Sequence, residues 1–404
     1  MQRRHSRLVR PATLLVLATL IASGVSACGS DAPVEQGAAG APATTTSTAP
    51  VDPPDPAPDI DGARLQSFAD GLVADTRSDG GIVAWKVGDE DPLVVTSGVA
   101  DARTGQALHP DDAFDVASIT KSFTAAALVL LAEEGALDLD DPISRYVDWP
   151  NGDHITVRQL LDQSSGVATF GNSDTEGGLY IDRVAQGGSD SIDDTLDATR
   201  SLPPVDEPGG STTYSNLNYV LAGAVIEDVT GDDLGTVFEQ RLFGPLGMDA
   251  TWYLQPSAND ADPLPGLYEL EPDQDPLPTT EIPMDAWRSV SAPAVGAVST
   301  VHDLFTWSDA VFRHQVVDGT DVSAMTQITP GGYGLGIVGV TEQGACVFDG
   351  CPPGQVFTRW GMNGDIPGSS TRVLYDPATD ATLFVYLNRN DLELDAPTIG
   401  FLDG

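Results

Sequence analysis

The chain has 404 residues, 60 Asp and Glu against 19 Lys and Arg, a formal net charge of -41 and 41% hydrophobic residues. That apolar content supports a real core and excludes a wholly disordered chain, and no solenoid-period repeat is present. So negative a surface repels phosphate backbones, so nucleic acid is excluded as a natural partner, and three cysteines are too few for a disulfide scaffold.

In chain order, residues 1–27 carry Arg3, Arg4, Arg7 and Arg10, no acid, and an apolar run from Ala12 to Ala22. The run is too short to span a bilayer and reads as a signal peptide. It ends in Val25-Ser26-Ala27-Cys28. Small residues before a cysteine resemble the bacterial lipobox, which implies lipidation of Cys28 and a membrane anchor outside the cytoplasm. Residues 28–60 are rich in Ala, Pro, Thr, Gly and Asp and read as the lipidated cysteine plus a disordered tether. The remainder, 61–404, is expected to be one domain.

Gly81–Val87 and Leu93–Ser97, split by Gly88-Asp89-Glu90-Asp91-Pro92, read as a hairpin. Ile119, Phe123, Ala126, Ala127 and Leu130 keep helical spacing, with an opposite face that is also apolar, which predicts a buried helix ending at Gly135. A second helix is predicted from about Leu217 to Val229, closed by Gly231, and a third through Leu234, Val237, Phe238 and Leu242. Gln355–Gly361, Ser370–Tyr375 and Thr382–Leu387 read as strands, the last two joined by a turn at Asp376–Asp380. Strands at both ends with helices between them predict an α+β fold: an antiparallel sheet built from both termini, flanked by helices, with a mostly helical lobe over roughly 120–290. Cys346 and Cys351, in CVFDGC, are expected to form a loop-stapling disulfide. No metal-ligand spacing is present, and the acidic clusters 138–141 and 193–194 read as solvated surface.

Only two lysines occur, Lys86 and Lys121. Lys121 lies three residues after Ser118, so at a helix start the two share a face. Burial and the positive helix end lower such a lysine's pKa, letting it help remove the serine proton, and the helix start offers an N–H to an oxyanion. Further on, Tyr214-Ser215-Asn216 precedes a helix. A tyrosine beside a cation ionises more easily and can relay a proton, while Asn216 can donate to a substrate carbonyl.

With FDVASITK, ITVRQLLDQSSGV, PGGSTTYSNLNYVLAGAVIEDVTG, RLFGPLGMDATWY, VGAVSTVHDL and YGLGI in that order, the chain resembles the serine β-lactamase-related hydrolases: class C β-lactamases, D-alanyl-D-alanine carboxypeptidases of that type and related esterases. The resemblance covers roughly 64–390. It implies a β-lactamase/transpeptidase-like fold, Ser118 as acyl nucleophile, Lys121 as its partner, Tyr214 as general base and Asn216 as a positioning residue. It also implies a small-molecule or peptide substrate and no cofactor. The family's basic third motif falls on Met362-Asn363-Gly364, so a thioether stands where a Lys or His supports the tyrosine and holds a substrate carboxylate. The Asp365 N–H is expected to complete an oxyanion hole with that of Ser118. Arg359 and Arg372 are the candidate replacements for the lost cation, and Gln163, where relatives often carry histidine, reads as structural. Three functions follow: a secreted serine hydrolase acting on an ester or amide, a degenerate member that binds a cell-envelope ligand, or a Ser-His-Asp hydrolase. The last lacks a GxSxG, and His109, His154, His302 and His314 sit in no catalytic context.

Overall fold

The computed structural model describes residues 57–170, 177–187, 189–254, 262–269, 275–348, 350–390 and 392–403. The leader, Cys28 and all but the end of the tether lie outside the described residues.

Helix α1, Gly62–Thr76, starts where the Asp61 carboxylate accepts the Arg64 N–H at 2.8 Å, an N-cap that satisfies a donor with no partner inside the helix. Its buried stripe is Leu65, Ala69 and Leu72, spaced for one helix face. The sequence reading did not include this helix. The predicted hairpin forms as β1 (Gly80–Val87) and β2 (Leu93–Gly98). With β3 (Val338–Thr341), β4 (Gly344–Ala345), β5 (Arg359–Ile366), β6 (Ser369–Asp376) and β7 (Ala381–Leu387) they make a seven-stranded antiparallel sheet in the order β4-β3-β5-β6-β7-β1-β2. The two ends of the fold therefore meet inside the sheet, where Ile82 pairs with Tyr386 and Ala84 with Phe384.

Side chains alternate between the two faces. Ile82, Ala84, Phe384 and Tyr386 join the core shared with the helical lobe, while Val83, Trp85, Leu383 and Val385 pack with α1 and α4 (Asp395–Asp403), another helix absent from the sequence reading. Each of the valine, leucine, isoleucine and phenylalanine side chains among them contributes about 1.5–3 kcal/mol on burial.

One boundary is corrected. The first C-terminal strand runs Arg359–Ile366 rather than Gln355–Gly361. Met-Asn-Gly-Asp has little β propensity of its own, but residues 360–366 are paired with 369–375, and that pairing imposes the strand.

In the helical lobe α2 spans Thr120–Glu133 and is buried on all sides from Thr120 to Leu131. Helix α3, Asn216–Thr230, begins at Ser215 and ends on Gly231 at φ 72°, a left-handed stop that glycine adopts without strain. The third predicted helix runs Leu234–Phe238 and continues through a widened turn, Glu239–Phe243, so that Leu242 stays buried. Phe123 of α2 meets Phe238, Phe243 and Trp307 edge-on. Cys346 and Cys351 are joined by a disulfide.

Candidate active site

Ser118 sits in a single tight turn, Ala117–Ile119, that runs directly into α2. Ala117 has φ 48°, a left-handed conformation that disfavours a side chain by about 1–2 kcal/mol. Strand β5 presses on this turn: a Cβ on Gly364 would lie 2.2 Å from the Val116 carbonyl oxygen and 3.3 Å from Ala117 Cβ. Glycine is required there because backbone meets backbone.

Lys121 lies one turn into the helix and is fully buried. Its Nζ donates to Ser118 Oγ at 2.9 Å and to the Ala294 carbonyl at 3.2 Å, and it sits 4.8 Å from the Tyr214 ring centre and 5.7 Å from that of Tyr219. Among the described residues no carboxylate forms an ion pair with it, so burial alone drives its pKa well below the ordinary lysine value.

The Tyr214 hydroxyl donates to the same Ser118 Oγ at 2.8 Å. The side chains that the sequence reading grouped thus converge on one oxygen. The tyrosine's acidity departs from expectation. Burial first, and then the neighbouring Tyr333, push its pKa well above the ordinary value. A lysine that has itself been driven toward neutrality is no cation with which to stabilise a phenolate.

Asn216 opens α3 and is buried, and its Oδ1 has no hydrogen-bond donor among the described residues. The segment before it is tied down by Gln163, whose backbone is left-handed at φ 65° and whose Oε1 accepts from the Ser215 N–H at 3.0 Å and from Asn218 Nδ2. The Ser215 hydroxyl donates to the Ala168 carbonyl at 2.7 Å. Gln163 therefore fixes the Tyr214–Asn216 turn from below. Tyr219, which contacts the lysine, and Tyr333, which meets the Tyr214 ring edge-on at 6.0 Å, were absent from the sequence reading. Their signal was only a tyrosine in each of two quoted motifs.

On β5, Met362, Gly364 and Ile366 face the helical lobe, and Met362 is buried in its core. It brings no charge to the serine. Asn363 and Asp365 alternate to the other face, where the Asp365 carboxylate accepts from Ser370 Oγ at 2.5 Å and from Arg372 at 2.9 Å. The candidate replacement cations are both engaged elsewhere: Arg359 with Asp376 and Asp403, and Arg372 with Asp365 and Asp395. Beyond Gly361 the described residues give β5 a strand partner only on the β6 side, so the other edge is left open at residues 362–366, beside the turn that holds Ser118. Among the described residues no group of His, Cys, Asp and Glu side chains is placed to hold a metal ion.

A half-exposed serine and tyrosine on a buried lysine, at a helix start beside the edge of an antiparallel sheet, define a class of serine acyl enzymes. The chain belongs to the Beta-lactamase family, whose model matches residues 65–401. It is 30% identical to Protein flp of Staphylococcus aureus (strain MW2) over 205 residues, 49% of this chain and 38% of that protein. It is 29% identical to the D-aminopeptidase of Brucella anthropi over 195 residues, 47% of this chain and 35% of that one. The matched stretch thus spans little more than a third of these relatives. Among solved structures, the D-amino acid amidase from Ochrobactrum anthropi SV3, complexed with L-phenylalanine, superposes with a TM-score of 0.68 at 26% identity, covering 84% of this chain and 97% of that one.

Proposed function

We propose that this protein is an extracytoplasmic serine hydrolase that cleaves an amide or ester through an acyl-enzyme. One observation carries the proposal: Ser118 Oγ lies 2.9 Å from an amine whose pKa is depressed and 2.8 Å from a phenol whose pKa is raised. Those opposed shifts divide the roles. Neutral Lys121 takes the serine proton as Oγ bonds to the carbonyl carbon, and the backbone N–H groups of Ser118 and Asp365 stabilise the oxyanion. As the C–N or C–O bond breaks, the protonated Tyr214 gives its proton to the departing atom, and the proton gained by Lys121 restores the tyrosine. Water then releases the acyl group by the reverse sequence. The base is therefore assigned to Lys121 rather than to Tyr214. The D-aminopeptidase and D-amino acid amidase named above support an amide substrate carrying a free amino group.

Met362 favours a second reading, a family member that binds an envelope ligand without turnover, because the candidate replacements Arg359 and Arg372 are both paired elsewhere. Mass spectrometry of the intact protein after exposure to a fluorophosphonate separates the two. One adduct is expected, absent in Ser118→Ala; no adduct at any pH overturns the hydrolase. In the same assay Met362→His should raise acylation by an anionic β-lactam more than by a neutral ester. Equal gains would show that carboxylate recognition is not what was lost.

The leader, the lipobox-like Cys28 and the disulfide support the location. Cys28→Ser is expected to release the protein from the membrane fraction, and an unchanged fraction would overturn the anchor.

A further inference from the structure

The disulfide-closed loop does more than close on itself. It carries Phe348, which is 54% exposed although it is one of the largest apolar side chains of the fold. A single exposed apolar side chain is ordinary on a protein surface, so what counts here is where this one packs. This one is not loose: its ring meets the ring of Tyr214 at 5.1 Å and 62°, the edge-on geometry that aromatic pairs favour. Tyr333 meets the same tyrosine at 6.0 Å and 70°.

The staple holds these aromatic side chains in register. A Cβ on Gly332 would lie 2.5 Å from Cys351 Sγ and 3.4 Å from Cys346 Sγ, so the disulfide rests directly on the left-handed glycine (φ 84°) that precedes Tyr333. A Cβ on the adjacent Gly331 would meet Thr212 Oγ1 at 2.0 Å, two residues before Tyr214. The same bond therefore sets the loop that presents Phe348 and braces the segment behind Tyr333 and Tyr214. In a chain so rich in acid this is a patch without charge of its own, against the ring of the tyrosine assigned to protonate the departing group.

We propose that Phe348 is a specificity-determining residue: backed by Tyr214 and the buried Tyr333, it forms an apolar wall on the leaving-group side of Ser118, positioned by the Cys346–Cys351 bond, and it selects substrates whose leaving group is aromatic or bulky and apolar. This rests on the acyl-enzyme reading above. The exposed face of Phe348 is the part a leaving group would cover, and the face against Tyr214 is the part that fixes its angle.

The test compares two neutral methylphosphonates that label serine, one expelling fluoride and one expelling 4-nitrophenol, by the second-order rate of Ser118 adduct formation. In Phe348→Ala the ratio of the aryl rate to the fluoride rate should fall about tenfold, the scale of one apolar side chain's burial. Phe348→Tyr should restore most of it. The double variant Cys346→Ser, Cys351→Ser should lower the ratio in the same direction, because the wall then loses its staple. A purely structural role would slow both probes together and leave the ratio where it was. A ratio within twofold of wild type in Phe348→Ala, or a wild type that accepts fluorophosphonate but refuses the aryl probe, overturns this proposal and leaves the hydrolase intact. Failure of both probes on the wild type overturns the hydrolase itself.

Discussion

Lys121 shows how a single side chain is tuned against its own stability. Its amine is buried with no counter-charge among the described ion pairs, so the folded protein prefers the neutral form and holds the pKa well below 10.5. In the unfolded chain it reverts to about 10.4, so between the lowered folded value and that limit the unfolded state binds the extra proton. Folding stability therefore rises with pH across this window, and the cost is fully present below it. Lys121→Met should abolish Ser118 labelling, by about 10³-fold or more, yet stabilise the protein at neutral pH by about 1–2 kcal/mol. Thermal unfolding of both proteins at neutral pH and near the ordinary lysine pKa checks the sign: the gap must narrow as the pH rises, and a gap that widens refutes it. The labelling rate of the wild type should rise as Lys121 deprotonates and do so well below the ordinary lysine range. At this scale the sequence was informative where chemistry is local. Ser118 and Lys121 are three apart at a helix start, and the amine reaches the hydroxyl as that spacing requires. It pointed the wrong way on the acidity of Tyr214, because that depends on burial and on Tyr333, which the chain brings from a distant loop.

The contact between β5 and the Ser118 turn is where element packing becomes chemistry. The strand approaches so closely that a methyl at Gly364 would have to displace either the Val116 carbonyl or the strand. Neither is the free end of a side chain. Gly364→Ala should therefore move the Asp365 N–H away from the Ser118 N–H and lower the acylation rate by about 10²-fold, the scale of a misplacement near 1 Å. The fold should survive, since the remaining β5–β6 pairs are untouched. Fluorophosphonate labelling alongside circular dichroism decides it: native spectra with undiminished labelling would show that the approach of the strand is not what assembles the oxyanion site. The glycine was readable as part of a motif, but its reason was not, because the atom it must avoid belongs to another segment. The same holds for elements. The buried helix α2 was legible because apolar residues cover all its faces. Strand β5 was misplaced by several residues because its registry is set by β6. Helix α4, whose sequence carries Pro397 and Gly400, is a weak helix by propensity and is held by the sheet it covers through Ile399 and Leu402.

Over the whole molecule, the sheet drawn from both ends was legible because hydrophobic runs bounded by turn residues announce strands wherever they fall. What composition alone could not show is how completely the few cations are used. The chain carries 19 basic residues against 60 acids, and near the site both Arg359 and Arg372 are each held by two carboxylates. With Met362 in the core and Lys121 biased toward its neutral form, an anionic substrate approaches a negative body in which the two candidate arginines are already paired. Such repulsion is long-ranged only while ions are scarce: the Debye length falls from about 30 Å at 0.01 M salt to about 8 Å at 0.15 M. The second-order acylation rate for an anionic ester should therefore climb several-fold over that range, while a neutral ester of the same acyl group stays flat. An anionic rate that falls with salt would mean that an attractive cation serves the site after all, and the charge assignment made for Arg372 would have to be abandoned.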